Sequence, residues 1–109
     1  MRRSSEFATV IRAGRRVRRG NLVVHMHPEI SAPGTDAPRV GLVVGKGVGA
    51  SVVRHRVSRR LRAQLAARLG VLPAGSGVVV RALSGSGQDD SVCLAADLDA
   101  ALSRLVGGR

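Results

Sequence analysis

Aromatic side chains are nearly missing from this chain: there is no tryptophan, no tyrosine and a single phenylalanine, Phe7, among 109 residues. Stacking on rings should therefore contribute less to binding than contact with phosphate, and any polyanion is expected to be held mainly by charge. Cysteine is down to one residue, Cys93, which excludes an internal disulfide. With no second cysteine or histidine cluster near it, Cys93 is no start of a zinc site either; it reads as a small buried hydrophobe in a reducing, cytoplasmic setting. The apolar runs are a handful of residues long, far short of the roughly 20 that a membrane span requires, and no signal-peptide core follows the N-terminal arginines. Negative charge is the last scarcity. Seven acids face eighteen bases, for a net charge of +11.

Such a balance makes the chain repel itself unless a polyanion screens it, so nucleic acid is the first partner to consider. All the positive side chains but Lys46 are arginine. Arginine favours planar, bidentate contacts to phosphate, although a genome rich in G and C also encodes it freely. The acids are absent altogether between Asp36 and Asp89, while Arg39, Lys46, Arg54, Arg56, Arg59, Arg60, Arg62, Arg68 and Arg81 all fall in that interval. An ordinary solvated helix alternates Glu with Arg to gain favourable pairs at i+3 and i+4; here the like charges repel and something must offset them.

The length suits one domain over residues 1–109 with one core. Phe7, Val10 and Ile11 give helical spacing from Ser5 to Ala13, with Ser4 or Ser5 as cap and Gly14 as stop. The cluster Arg15, Arg16, Arg18 and Arg19 follows, then an apolar strand from Asn21 to His27 ended by Pro28. Residues 31–38, rich in proline, predict a turn, and Arg39 to Val44 resumes as a strand. Gly45 to Gly49 reads as too flexible for a regular element. From Ala50 to Leu69 a helix is predicted, with Val53, Val57, Leu61, Leu65 and Leu69 as one apolar stripe. Arg56, Arg59, Arg60 and Arg62 then spread over the other side. Val78 to Val80 reads as a strand buried on both faces, residues 84–91 as a mobile loop, and Val92 to Val106 as a helix burying Leu94, Leu98, Ala101, Leu102 and Leu105. One further short strand has room but no clear place. A sheet covered by helices in two layers buries all these stripes.

Catalytic constellations are missing. Three histidines, and acids confined mostly to termini and loops, provide no Ser-His-Asp, Cys-His or paired-carboxylate arrangement. The glycines of Gly45 to Gly49 lack the Gly-Lys-Ser/Thr ending of a nucleotide loop, so no nucleotide cofactor is expected. His25 and His27 share a strand face but have no third ligand nearby, and no protein-bound metal is expected.

Taken together, Arg39-Val-Gly-Leu-Val-Val-Gly-Lys46, Val48-Gly49 and Val52-Val-Arg-His-Arg56 resemble the signature of the ribonuclease P protein family. The likeness extends through Ser58, Arg59 and Arg62, Phe7 to Val10 with Gly14, the Leu22 to His25 strand and the Val78 to Val80 strand. It departs at His55, where the family's Arg-Asn-Arg helix has Asn, and at Ser58, where a base is usual. The resemblance implies an α+β sandwich with a mostly antiparallel sheet of about four strands. That fold is similar to a domain of ribosomal proteins, with a left-handed crossover around the arginine-rich helix. It implies a catalytic-RNA face at Lys46, Arg54, His55, Arg56, Arg59, Arg60 and Arg62, and a cleft for the leader of precursor tRNA at Phe7, Ile11, Val23, His25 and Arg39. Hydrolysis would belong to the RNA and its bound magnesium, with the protein assisting. A ribosomal or ribosome-assembly protein, or a DNA-binding protein, is the alternative; the Arg54-His-Arg56 helix after Lys46 speaks against the former, and absent zinc-finger or zipper spacing against the latter.

Overall fold

The computed structural model describes residues 4–27 and 37–106. Three helices, α1 (Ser4–Ala13), α2 (Ser51–Ala66) and α3 (Ser91–Val106), accompany four strands, β1 (Arg15–Arg19), β2 (Leu22–His27), β3 (Arg39–Val44) and β4 (Gly77–Ala82). The strands form one sheet in the order β1-β2-β4-β3. β1 and β2, and β2 and β4, run antiparallel, whereas β3 and β4 are parallel. Parallel neighbours cannot be joined by a tight turn, and α2 supplies the crossover between them.

Strand alternation sorts the side chains into two faces. Leu22, Val24 and Met26 of β2 and Val78 and Val80 of β4 point to the main core, where they meet Val57, Leu61 and Leu65 of α2 and Leu94, Leu98, Ala101, Leu102 and Leu105 of α3. Each such leucine removed from water contributes about 1.5–3 kcal/mol, so these two helices dominate the fold. Val23, His25 and Val79 point the other way and are buried too. There α1 packs on β2 and β4 through its buried Val10. The continuous apolar run of β4 is thus explained: Val78, Val79 and Val80 are each fully buried, on alternate faces.

Several elements differ from expectation. Arg15 to Arg19 is a strand, not merely a basic cluster. Gly20, with φ of +56°, makes the tight turn that lets it pair with β2, and its only inward apolar residue, Val17, packs on the core. A backbone turn at positive φ is open to glycine at no steric cost. The Gly45 to Gly49 segment contains a 3-10 turn at Lys46–Val48. α2 stops at Ala66, and Leu69 lies in a second 3-10 turn, 43% exposed, outside the apolar stripe. Arg68 holds that corner. It donates from Nε to Asp99 Oδ1 at 2.6 Å and from Nη1 to Gln64 O at 2.8 Å. The hydrogen bond keeps the Asp99 carboxyl below the usual carboxylate range. Cys93 is exposed rather than buried, because it falls one residue before the inward-facing Leu94. The expected caps at Ser4 or Ser5 and the turn at 31–36 lie outside the described side chains and residues.

Candidate RNA interface

The arginine-rich face starts from helical period. With Val57, Leu61 and Leu65 buried against the sheet, the residues between them must turn outward or sideways. His55, Arg59 and Arg62 are exposed, while Arg54, Arg56 and Arg60 are half-buried. The difference comes from the segment after β4. Arg56 donates from Nη2 to Gly87 O at 3.2 Å, and Arg60 from Nη1 to Asp89 O at 2.7 Å. Asn21 Nδ2 in turn donates to Asp89 Oδ2 at 3.1 Å. Residues 84–91, expected to be mobile, hold a short 3-10 turn at Ser86–Gln88 whose Ser86 is buried. Gly87 sits against α2 so closely that a Cβ there would stand 2.6 Å from Val53 Cγ1. Only glycine permits that approach.

Two arginines are therefore braced by neutral carbonyls, which leaves their charge uncompensated. Among the described residues no carboxylate forms an ion pair with Arg54, Arg56, Arg59, Arg60 or Arg62; the Arg68–Asp99 ion pair lies beyond the helix. Arg54 donates from Nη2 to Ser51 Oγ at 3.4 Å. With Val44, His55 and Ser58 these two residues line a shallow depression of about 220 Å³ at the start of α2. Lys46, exposed in the preceding turn, packs its segment against the same helix. A guanidinium without a carboxylate partner, two hydroxyls and a helix start in one place suit an anion such as RNA phosphate. Arg62 stands further along, beside a groove of about 420 Å³ that Val40, Gly41, Leu42, Leu65, Ala66 and Leu69 also line between β3 and α2.

A second group lies on the α1 face of the sheet. Phe7 and Ile11 are half-buried on α1, and Val23 and His25 are 9% and 2% exposed beneath it. Arg39 shares the face from β3. These five are expected from the sequence; strand pairing brings Arg16, Arg18 and Arg81 alongside them, with Arg16 opposite His25 and Arg18 and Arg81 flanking Val23. Alternation within Arg15 to Arg19 would have shown it, had that segment been recognised as a strand.

The chain matches the family description Ribonuclease P over residues 1–106. The ribonuclease P protein component of Streptomyces bikiniensis is 54% identical, over 99% of this chain and 92% of its own. That of Mycobacterium avium is 44% identical, over 99% and 92%. The chain belongs to the ribonuclease P protein family. The fold agrees: the RNase P protein of Staphylococcus aureus superposes with a TM-score of 0.81 at 19% identity, over 95% of this chain and 92% of that one. That of Thermotoga maritima gives 0.77 at 22%, over 100% and 96%. The ribosome-assembly alternative finds no support in these relatives.

One histidine of the α1 face, His25, stands in an unusual environment. Both ring nitrogens of His25 are buried without a hydrogen-bond partner among the described residues. Burial, then the nearby charges of Arg81 and Arg16, hold its pKa below the ordinary 6.5. An unfolded chain takes up that proton near 6.5 while the folded one resists, so His25 makes stability rise with pH across that interval. Thermal melting should therefore show stability fully present above pH 6.5 and declining as pH falls below it. His25→Phe should flatten that part of the curve, and an unchanged slope would place the titration elsewhere.

Proposed function

We propose that this chain is the protein subunit of ribonuclease P, binding the catalytic RNA through the Lys46 to Arg62 surface and the 5′ leader of precursor tRNA through the α1 face. The observation that carries the reading is the acid-free arginine face of α2 in a chain of this family. Lys46, Arg54, His55, Arg56, Arg59, Arg60 and Arg62 meet the catalytic RNA, and Phe7, Ile11, Val23, His25 and Arg39 frame the leader cleft. Because Val23 and His25 are covered by α1, a leader strand contacts the margin of that cleft, where charge rather than ring stacking holds it.

Magnesium is the metal such a ribonucleoprotein implies. No group of three His, Cys, Asp or Glu among the described residues could hold it. We assign hydrolysis to the RNA and the magnesium that its phosphates hold. The protein's share is positioning: it neutralises phosphates that would otherwise repel one another and distinguishes a leader-bearing substrate from mature tRNA. Its place is the cytoplasm, and no helix of the described residues is long and apolar enough to cross a membrane.

The test is 5′ cleavage of precursor tRNA across a magnesium series. The protein without RNA should not cleave at any magnesium concentration. Added to a matching catalytic RNA at low magnesium it should restore cleavage, and the benefit should shrink as magnesium rises and screens the same phosphates. Site-specific cleavage by RNA-free protein would overturn the assignment.

A further inference from the structure

β1 is a sheet edge made almost wholly of arginine. Arg15, Arg16, Arg18 and Arg19 are all exposed around a half-buried Val17. Among the described residues none of the four meets a carboxylate; one contact is Arg18 Nε donating to Gly20 O at 3.4 Å, within the turn. Four like charges on five consecutive residues repel one another, and a strand that keeps them has a counter-charge to receive.

Strand alternation divides the four. Arg15 and Arg19 fall on the face that α3 covers, where Asp97 approaches the adjoining Gly20. Arg16 and Arg18 fall on the α1 face, directly opposite His25 and Val23. Residues opposed across an antiparallel pair stand about 5 Å apart. The strand positions of that face hold no acid at all: beyond His25, His27 and apolar residues they carry Arg81 on β4 and Arg39 on β3. Burial first, and then the charges of Arg81 and Arg16, hold the His25 pKa down on this same face.

We propose that Arg16 and Arg18 extend the leader cleft sideways to the β1 edge, binding leader phosphates beyond those that reach the α1 margin. The proposal rests on the leader reading given above and adds residues to it. The occupant is a single RNA strand. A strand leaving the α1 margin toward the sheet edge meets Arg18 and Arg16 next, and in a chain with one aromatic residue charge contact must supply the grip that stacking would give. The β1 edge is three strands from β3, about 14 Å across the sheet, so the contact adds to the cleft rather than repeating it.

The experiment uses the holoenzyme, assembled from a matching catalytic RNA and this chain, and measures affinity for precursor tRNAs with a nested series of leader lengths. Unaltered protein should show affinity rising with leader length. Arg16→Ala with Arg18→Ala should remove the gain from the longer leaders and lower the log–log salt slope for them by roughly 1.4, at about 0.7 per single-strand phosphate contact. Arg15→Ala with Arg19→Ala, on the other face of the same strand, should retain the gain, and Arg16→Lys with Arg18→Lys should restore most of it. A double alanine variant that matches the unaltered protein at every leader length would overturn the proposal. So would one that loses affinity for the catalytic RNA while keeping the leader gain, since β1 would then belong to the RNA subunit. No leader preference in the unaltered holoenzyme would instead bring down the leader reading itself.

Discussion

Leu61→Ala should lower stability by about 2–5 kcal/mol, the cost of a large-to-small change in a packed core. Leu61 is fully buried between Val57 and Leu65 on the face of α2 that meets the sheet. Removing its branched end leaves a void that neither β4 nor α3 can fill, because both are committed to the same core. At about 4–8 °C of melting temperature per kcal/mol for a domain near this size, thermal denaturation should shift by roughly 10 °C or more. Leu69 is the internal comparison. It continues the same four-residue rhythm in sequence yet is exposed beyond the helix end, so Leu69→Ala should stay near half a kcal/mol, as surface changes do. Equal losses at the two positions would show that the helix phase, and with it the assignment of the basic face, is wrong.

The second large effect is on RNA binding. Replacing Arg56, Arg59 and Arg62 together with Ala removes three charges from the outer and flanking sides of α2 while sparing Val57, Leu61 and Leu65. The fold should persist, with some loss at Arg56 from its bond to Gly87 O. Affinity for the catalytic RNA should fall, and the slope of log affinity against log salt should shrink by about 0.7 to 0.9 per lost phosphate contact, depending on whether the contacted RNA is single- or double-stranded. The fall should be steepest at low salt, where counterion release contributes most. A folded triple variant with the affinity and slope of the unaltered protein would remove this face from the interface.

The elements that sequence disclosed are those with an apolar period. β3 appears with the expected bounds, β2 and α3 begin one residue from expectation, and Val57, Leu61 and Leu65 are buried as their spacing predicts. β1 was not legible because strands are read from alternating apolar residues, and one valine among four arginines carries no alternation. Its pairing is set by the Gly20 turn and by the neighbour it finds in β2. The bracing of Arg56 and Arg60 was equally hidden. Those bonds join positions 31 and 29 residues apart, and a backbone carbonyl leaves no mark in the sequence. The only local trace is Gly87, which reads as loop composition until the proximity of Val53 gives it a reason.

The same β1 edge has a meaning for the free protein. An edge strand exposes a row of unpaired backbone donors and acceptors, to which a strand of a second copy can add. Pairing of β1 with β1 of a second copy would set arginine against arginine along the whole strand. The row of four exposed arginines thus disfavours edge pairing between copies of the chain while no RNA is bound. Substituting them removes a guard against edge-to-edge aggregation, which makes loss of solubility, rather than loss of folding, the hazard of neutralising all four.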